Sequence, residues 1–341
     1  EGLNTIVIKA REEGVGGDSS PRKVIEEYLH SMAVSNYNPI ANYLDGIGEW
    51  DGNDHVLGLF NRLPGVSDEM KAYLRIWLRS MVAHWLQMDT LHGNECVPIL
   101  IGEQGCGKST FCNRLLPPEL RSYFFDHISF SNRFDLEMAL THALLVNIDE
   151  FNVMTPSQMA KLKQNLSKVK VNSRPIFGRT TEDRPRYSSF IATTNERHPL
   201  CDPTGSRRFL CIEIPSGEFI DNESPIDYAQ LYAQILHELS LLGTRYWFTR
   251  DEENRIQELN SAFMKTDDID MMIASSFDLE NSESQGQWMS GNEVVNVLCR
   301  NYSQLKADSG LKLRLGKALR YLGCKAKHTK RGQEYLLTTR K

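Results

Sequence analysis

The sequence predicts an α/β protein: a parallel sheet with flanking helices over residues 93–220, a helical block before it and a basic, helix-rich block after it. Three observations carry that expectation. Gly102-Glu103-Gln104-Gly105-Cys106-Gly107-Lys108-Ser109 fits G-x-x-x-x-G-K-[ST], and it lies between an apolar run, Val97-Pro98-Ile99-Leu100-Ile101, and a segment, Thr110 to Leu116, with helical character. From 95 to about 215, apolar strand-like runs alternate with helical segments, the pattern of strands joined by crossover helices. On either side the apolar residues recur at helical spacing instead.

Composition bounds the classes. At 341 residues the chain is long enough for two or three domains. No run of 18 apolar residues occurs, so no membrane partner is expected. The start, Glu1-Gly2-Leu3-Asn4, carries no basic-then-apolar signal pattern, and its lack of Met leaves room for upstream residues. Seven scattered cysteines form no C-x-x-C pair, which points to reduced thiols without a zinc site or disulfide framework. The net charge of −5 is unevenly spread. Residues 286–341 hold seven Lys and five Arg against two Glu and one Asp, a net of +9, so the rest of the chain carries −14. A basic tail on an acidic body fits a polyanionic partner, and equally a merely solvated face.

Taken in order, residues 1–92 form a helical N-terminal domain. Pro21 to Leu29 opens a helix after Ser19-Ser20, and a stronger one runs from about Asp68 to Met88. Its Leu74, Trp77, Leu78, Met81, Val82 and Trp85 read as core. Residues 93–220 form the core domain and 221–274 a helical extension. The polar, acidic stretch 275–287 reads as a linker. Residues 288–341 predict a helix from Gly291, a second from Leu311 to Leu322 carrying Arg314, Lys317 and Arg320, and two short strands around a basic turn with Lys327, Lys330 and Arg331. Helices followed by a basic hairpin suggest a winged-helix-like domain with one helix in a DNA groove and the hairpin on the backbone. A protein-binding domain of the same shape is the competing reading.

The chemistry begins at the glycine-rich loop. Its glycines let backbone N–H groups turn toward phosphate oxygens at a helix N-terminus. Gly102, Glu103, Gln104, Gly105, Cys106, Gly107, Lys108, Ser109 and Thr110 form the expected ATP-binding set, with Lys108 on the β- and γ-phosphates and Ser109 on Mg²⁺. Ala143 to Ile148 is an apolar strand ending in Asp149 and Glu150. Asp149 is placed to hold Mg²⁺, and Glu150 to orient and deprotonate a water. Ser188 to Thr194 is another apolar strand, ending in Asn195, a candidate donor to the γ-phosphate or the lytic water. Arg207 and Arg208 follow, either of which suits charge developing on a transferred phosphoryl group, with Arg208 preferred and a structural salt bridge the alternative for the other.

That ordered set resembles the AAA+ class of P-loop ATPases, its superfamily 3 helicase-like group, and most closely the virulence-associated E family of phage and mobile-element proteins. Asn38-Pro39-Ile40-Ala41-Asn42-Tyr43-Leu44, Trp50-Asp51-Gly52, the loop through Thr110, Thr193-Thr194-Asn195 and Thr204-Gly205-Ser206-Arg207-Arg208-Phe209 carry the resemblance. It covers about residues 37–215. Asn147-Ile148-Asp149-Glu150 departs from the glutamate-rich variant often found there, which leaves open how Asp149 and Glu150 divide their roles. The resemblance implies an AAA+ P-loop ATPase core, a homo-oligomeric ring taken as a hexamer, nucleotide at subunit interfaces, and a replication or helicase-like role for a mobile element in the cytoplasm of a bacterial host. It also implies a pore hairpin before the Asn195 strand, here with Lys168, Lys170, Arg174, Arg179, Arg184 and Arg186. A charged channel holds single-stranded DNA without reading bases.

Three functions fit to different degrees. An ATP-hydrolysing DNA motor uses every feature. A regulatory ATPase switch that assembles protein partners shares all its catalytic residues. A small-molecule kinase is disfavoured by Glu150, Asn195 and the arginine pair.

Overall fold

The structure is a computed structural model. It describes residues 2–16, 20–29, 31, 33–34, 37–88, 92–130, 132–173, 181–202, 205–264, 268–279, 286–302, 305, 307–329 and 332–340. The N-terminal part is helical: α1 (Gly2–Glu12), α2 (Arg22–Leu29), α3 (Pro39–Gly46), α4 (His55–Phe60) and α5 (Asp68–Trp85). Local chemistry sets these starts. Asn38 Oδ1 accepts from the Ile40 and Ala41 amides at 3.0 and 3.2 Å, with Pro39 in the first turn. Ser67 Oγ accepts from the Met70 amide at 3.2 Å. Helix α5 stops at Trp85, short of the expected Met88, where Gln87 takes a left-handed φ of 51°. Trp50-Asp51-Gly52 forms a turn: Asp51 accepts from the Asn53 amide and its own amide donates to Gln230 Oε1 at 2.8 Å.

The centre is a five-stranded sheet built from β1 (Val97–Ile101), β2 (Phe124–Phe125), β3 (Leu145–Ile148), β6 (Ser189–Thr194) and β7 (Phe209–Glu213). The order is β2-β3-β6-β1-β7, and every pairing is parallel. Crossovers run through α6 (Lys108–Arg114), α7 (Arg133–His142) and α8 (Pro156–Leu166). Both faces are covered, so the strands read as continuous apolar runs. One face, with Leu100, Leu145, Ile191, Leu210 and Ile212, packs against α6 and against α3–α5 together with α9 (Tyr228–Ser240). Trp77, Leu78, Met81 and Val82 of the α5 stripe are fully buried there. The opposite face, with Val97, Ile99, Ile101, Val146, Phe190 and Phe209, packs against α7 and α8.

Between α8 and β6 stand β4 (Lys170–Ser173) and β5 (Glu182–Pro185), an antiparallel pair in which Lys170 faces Pro185 and Val171 faces Arg184. Arg174 and Arg179 lie outside the described residues. After α9 come α10 (Arg250–Leu259) and α11 (Asp268–Ser276). The C-terminal unit adds β8 (Phe277–Asp278), β9 (Gln287–Ser290), α12 (Gly291–Asn301), α13 (Ser309–Tyr321), β10 (Ala326–Thr329) and β11 (Gly332–Thr339). Strand β11 pairs antiparallel with β10, β9 and β8. The stretch read as a linker departs from that expectation at both ends: Phe277 is fully buried among Ile273, Val294 and Leu298, and Gln287 begins a strand. Among the described residues no helix is long and apolar enough to cross a membrane.

Candidate active site

The loop 102–107 leaves β1 and turns directly into α6. Gly105 and Gly107 adopt φ of 86° and 95°, which other residues take only with strain. A side chain at Gly107 would also meet Asn222 Nδ2 at 2.4 Å. The Lys108 ammonium donates to the carbonyls of Gly102 and Glu103, both at 2.7 Å, and to Asn195 Oδ1 at 2.9 Å. A lysine has three donors, so all three are used inside the site. Cys106 Sγ lies 3.7 Å from the same ammonium and is buried. Glu103, Gln104, Ser109 and Thr110 are exposed at the mouth of the loop.

Asp149 and Glu150 follow β3, two strands from β1, with β6 between them. Thr193 on β6 donates its hydroxyl to Asp149 Oδ1, and Thr194 donates to Asn152 Oδ1 at 2.8 Å. These bonds tie the β3 end to the β6 end. Both carboxylates are exposed. Cys112, buried on α6, senses both Asp149 and Lys108: burial and the Asp149 charge push its thiol upward, and Lys108 opposes them. Glu150 sits at φ 50°, ψ 47°, a left-handed conformation uncommon for a residue with a side chain. Phe151 anchors it, buried and edge-on to Phe209 at 5.3 Å. Lys108, Asp149, Glu150 and Asn195 therefore all stand along the carboxyl edge of the sheet, where parallel sheets hold ligands.

Among the described residues no cluster of three or more His, Cys, Asp or Glu side chains could hold a metal. Mg²⁺ is typically held by one or two protein groups plus substrate phosphates. Ser109 and Asp149 are chemically fit to be those groups.

The arginine pair lies elsewhere. Arg207 and Arg208 occupy a 3-10 turn, Ser206–Arg208, immediately before β7. Phe209 is in register with Val97, and Glu213 with Ile101. The pair thus sits at the amino edge of the sheet, a five-residue strand of about 16 Å from this chain's own loop. Arg207 Nη1 is 3.2 Å from Glu253 Oε2, and Arg208 Nε is 3.9 Å from Glu95 Oε2.

The expected nucleic-acid contacts divide. Arg186 is a correction. It is 1% exposed, and its guanidinium donates to the carbonyls of Ser188, Asn165, Leu166, Lys168 and Asn94 at 2.6 to 3.0 Å. Burial lowers its pKa to about 10, which still leaves it charged at neutral pH. It stitches α8 to the sheet and has no face left for a strand of DNA. Lys168 donates to Asn165 Oδ1 at 2.9 Å, Lys170 is exposed and Arg184 is half-buried. Lys168 and Lys170 line a groove of about 570 Å³ with Arg133, Lys161, Phe130 and Leu136. In the C-terminal unit Arg314, Lys317 and Arg320 are exposed along α13. Lys327 is 3.3 Å from Glu334 and 4.1 Å from the Trp288 ring centre. Lys330 and Arg331 lie outside the described residues.

Two residues escaped the sequence reading. Asn222 donates to the Gly107 carbonyl at 2.9 Å from 115 positions away, on a segment that also places the Ile220 amide 3.0 Å from the Cys106 carbonyl. Arg197 lies two residues past Asn195 and pairs with Glu213 at 2.9 Å. Asn222 has no local signal, whereas Arg197's closeness to a strand end was visible.

A family profile, the virulence-associated protein E-like domain, matches residues 44–265. No curated protein matches the sequence. Among solved structures, the A form apo structure of the NrS-1 C-terminal region, 305–718, covers 86% of this chain and 78% of that chain at 13% identity, with a TM-score of 0.49. An A form apo structure of the same region covers 90% and 80% at 13% identity, with a TM-score of 0.46. A further apo structure of 305–718 covers 90% and 79% at 12% identity, with a TM-score of 0.47.

Proposed function

The chain belongs to the virulence-associated protein E-like family, and from that premise we propose that it is an ATP-hydrolysing, ring-forming DNA motor serving replication or maintenance of a phage or mobile element. One observation carries the ATPase part: Lys108 and Asn195, 87 residues apart, meet at 2.9 Å at the sheet edge that also presents Asp149 and Glu150. The proposed roles follow from that placement. Triphosphate binding draws the Lys108 ammonium off the Gly102 and Glu103 carbonyls onto phosphate oxygens, leaving Asn195 free to turn its amide toward the terminal phosphate. Asp149, oriented by Thr193, and Ser109 would hold Mg²⁺. When bound, Mg²⁺ would supply charge neutralisation at the transferred group. Glu150 orients the water and takes its proton.

The proposed AAA+ assignment draws on the all-parallel sheet with the glycine loop at a strand–helix junction. The winged-helix reading draws on the order α11-β8-β9-α12-α13-β10-β11, with β11 beside both β9 and β10 and basic side chains exposed on α13. Burial of Arg186 and the local pairing of Lys168 and Lys327 trim the DNA footprint, and so favour keeping the switch reading as the alternative. The test is Mg²⁺-dependent ATP hydrolysis with and without single-stranded and duplex DNA. The motor reading expects turnover that DNA accelerates, salt-sensitive DNA binding, and loss of nucleotide binding in Lys108→Ala. Hydrolysis indifferent to DNA selects the switch. Absence of ATP binding by the intact protein ends both.

A further inference from the structure

Arg197 Nε lies 2.9 Å from Glu213 Oε1. Arg197 follows β6, and Glu213 ends β7. Strand β1 runs between them. Its last residue, Ile101, is in register with Thr194 on one side and Glu213 on the other. The ion pair therefore spans two strand spacings, about 10 Å, over the carboxyl end of β1, where the glycine loop begins. It arches across the entrance to the site. The arch continues next door, where Ser216 donates to Glu103 Oε1.

The two side chains are 68% and 39% exposed. A pair so open to water is weakly held. A terminal phosphate carries more charge than one carboxylate and several acceptor oxygens, and guanidinium matches it bidentately. The backbone from Asn195 to Arg197 is already at the loop, because Asn195 touches Lys108.

We propose that Arg197 is a nucleotide-contacting residue that exchanges Glu213 for the terminal phosphate of a bound nucleoside triphosphate, so that the chain distinguishes triphosphate from diphosphate within one subunit. The inference rests on reading 102–109 as a phosphate loop. Glu213 is the resting partner and competes with the ligand.

Calorimetric titration of the full chain with ADP and with AMP-PNP, a triphosphate that is not hydrolysed, tests this in the presence of Mg²⁺. Arg197→Ala is expected to weaken AMP-PNP about tenfold or more, the loss of a charge-assisted contact, while ADP changes less than about twofold. Glu213→Gln, which removes the competitor's charge, is expected to tighten AMP-PNP and leave ADP alone. Arg197→Lys is expected to fall between wild type and Arg197→Ala, because it keeps charge and loses the fork. Unchanged melting of ligand-free Arg197→Ala verifies that the fold is intact. An AMP-PNP to ADP preference unmoved by Arg197→Ala overturns the inference and leaves the phosphate-loop reading standing. Failure of the wild-type protein to bind either nucleotide removes that reading, and the inference with it.

Discussion

Glu150 is the residue at which stability and proposed chemistry pull apart. Its left-handed backbone is held by buried Phe151 on one side and by the Thr194–Asn152 bond beside it. Holding a side-chain-bearing residue there costs about 1 kcal/mol. Glu150→Gly relieves that strain, offset in part by glycine's larger freedom in the unfolded chain. The expected result is a Tm equal to or above wild type, with hydrolysis lost. Glu150→Gln keeps the strain and the Tm but lowers turnover by about a hundredfold or more, the usual worth of a positioned base. A fall in Tm for the glycine variant sinks the strain argument, and near-normal turnover in the glutamine variant sinks the base. At this scale much of the candidate site was legible. Apolar strands that end abruptly in Asp149, Glu150 and Asn195 announce polar groups at a sheet edge, and the loop announces itself. Arg186 was misread because a basic residue in a basic segment looks the same whether its guanidinium meets water or five carbonyls.

Among the elements, α10 shows how a cap governs part of the proposed machinery. Thr249 and Glu252 form a reciprocal capping box, and Glu252 also takes a bidentate bond from Arg245 at 2.8 and 3.0 Å. The Arg245 hydrogen bonds, with those from Thr249, hold the Glu252 carboxyl at about 2 against burial, below its ordinary 4.5. A lowered carboxylate pKa adds stability that is complete above the unfolded value and is lost as the pH falls. Stability should therefore drop as the pH falls from about 4.5 to about 2, and Glu252→Gln should flatten that slope while lowering stability at pH 7. Urea denaturation across that range measures both; an undiminished acid slope in the variant removes Glu252 as a source. Helix α10 also presents Glu253 to Arg207, and Asn260 just beyond it donates to the Ser206 and Phe209 carbonyls at 2.7 and 2.8 Å. A loosened cap should therefore loosen the arginine turn. Such couplings were not legible, since they join residues some 50 positions apart. Strand β9 escaped for a different reason: Gln287–Ser290 is short, only half covered and without clean alternation, so it merged with the polar stretch before it.

For the whole molecule, the decisive feature is that the two halves of the proposed chemistry lie on opposite edges of one sheet. Lys108, Asp149, Glu150 and Asn195 share the carboxyl edge, while Arg207 and Arg208 stand at the amino edge, held by Glu253 and Glu95. A strand of about 16 Å lies between the edges, farther than an arginine side chain reaches. If Arg208 acts on a phosphoryl group, that group belongs to another copy. Different surfaces of two identical chains then meet, the head-to-tail arrangement that closes into a ring. An arginine supplied in this way is worth roughly a thousandfold or more in turnover. Arg208→Ala and Glu150→Gln should each be nearly inactive while still binding ATP. Mixed one to one and allowed to reassemble, they should regain about a quarter of wild-type turnover, because half the subunits keep Glu150 and about half of those face a neighbour that keeps Arg208. Action within one chain predicts no gain over the mean of the two variants, and so does a protein that never assembles. Sedimentation with ATP separates those two outcomes: a ring whose mixtures stay dead places the arginine in its own subunit, against the sheet geometry.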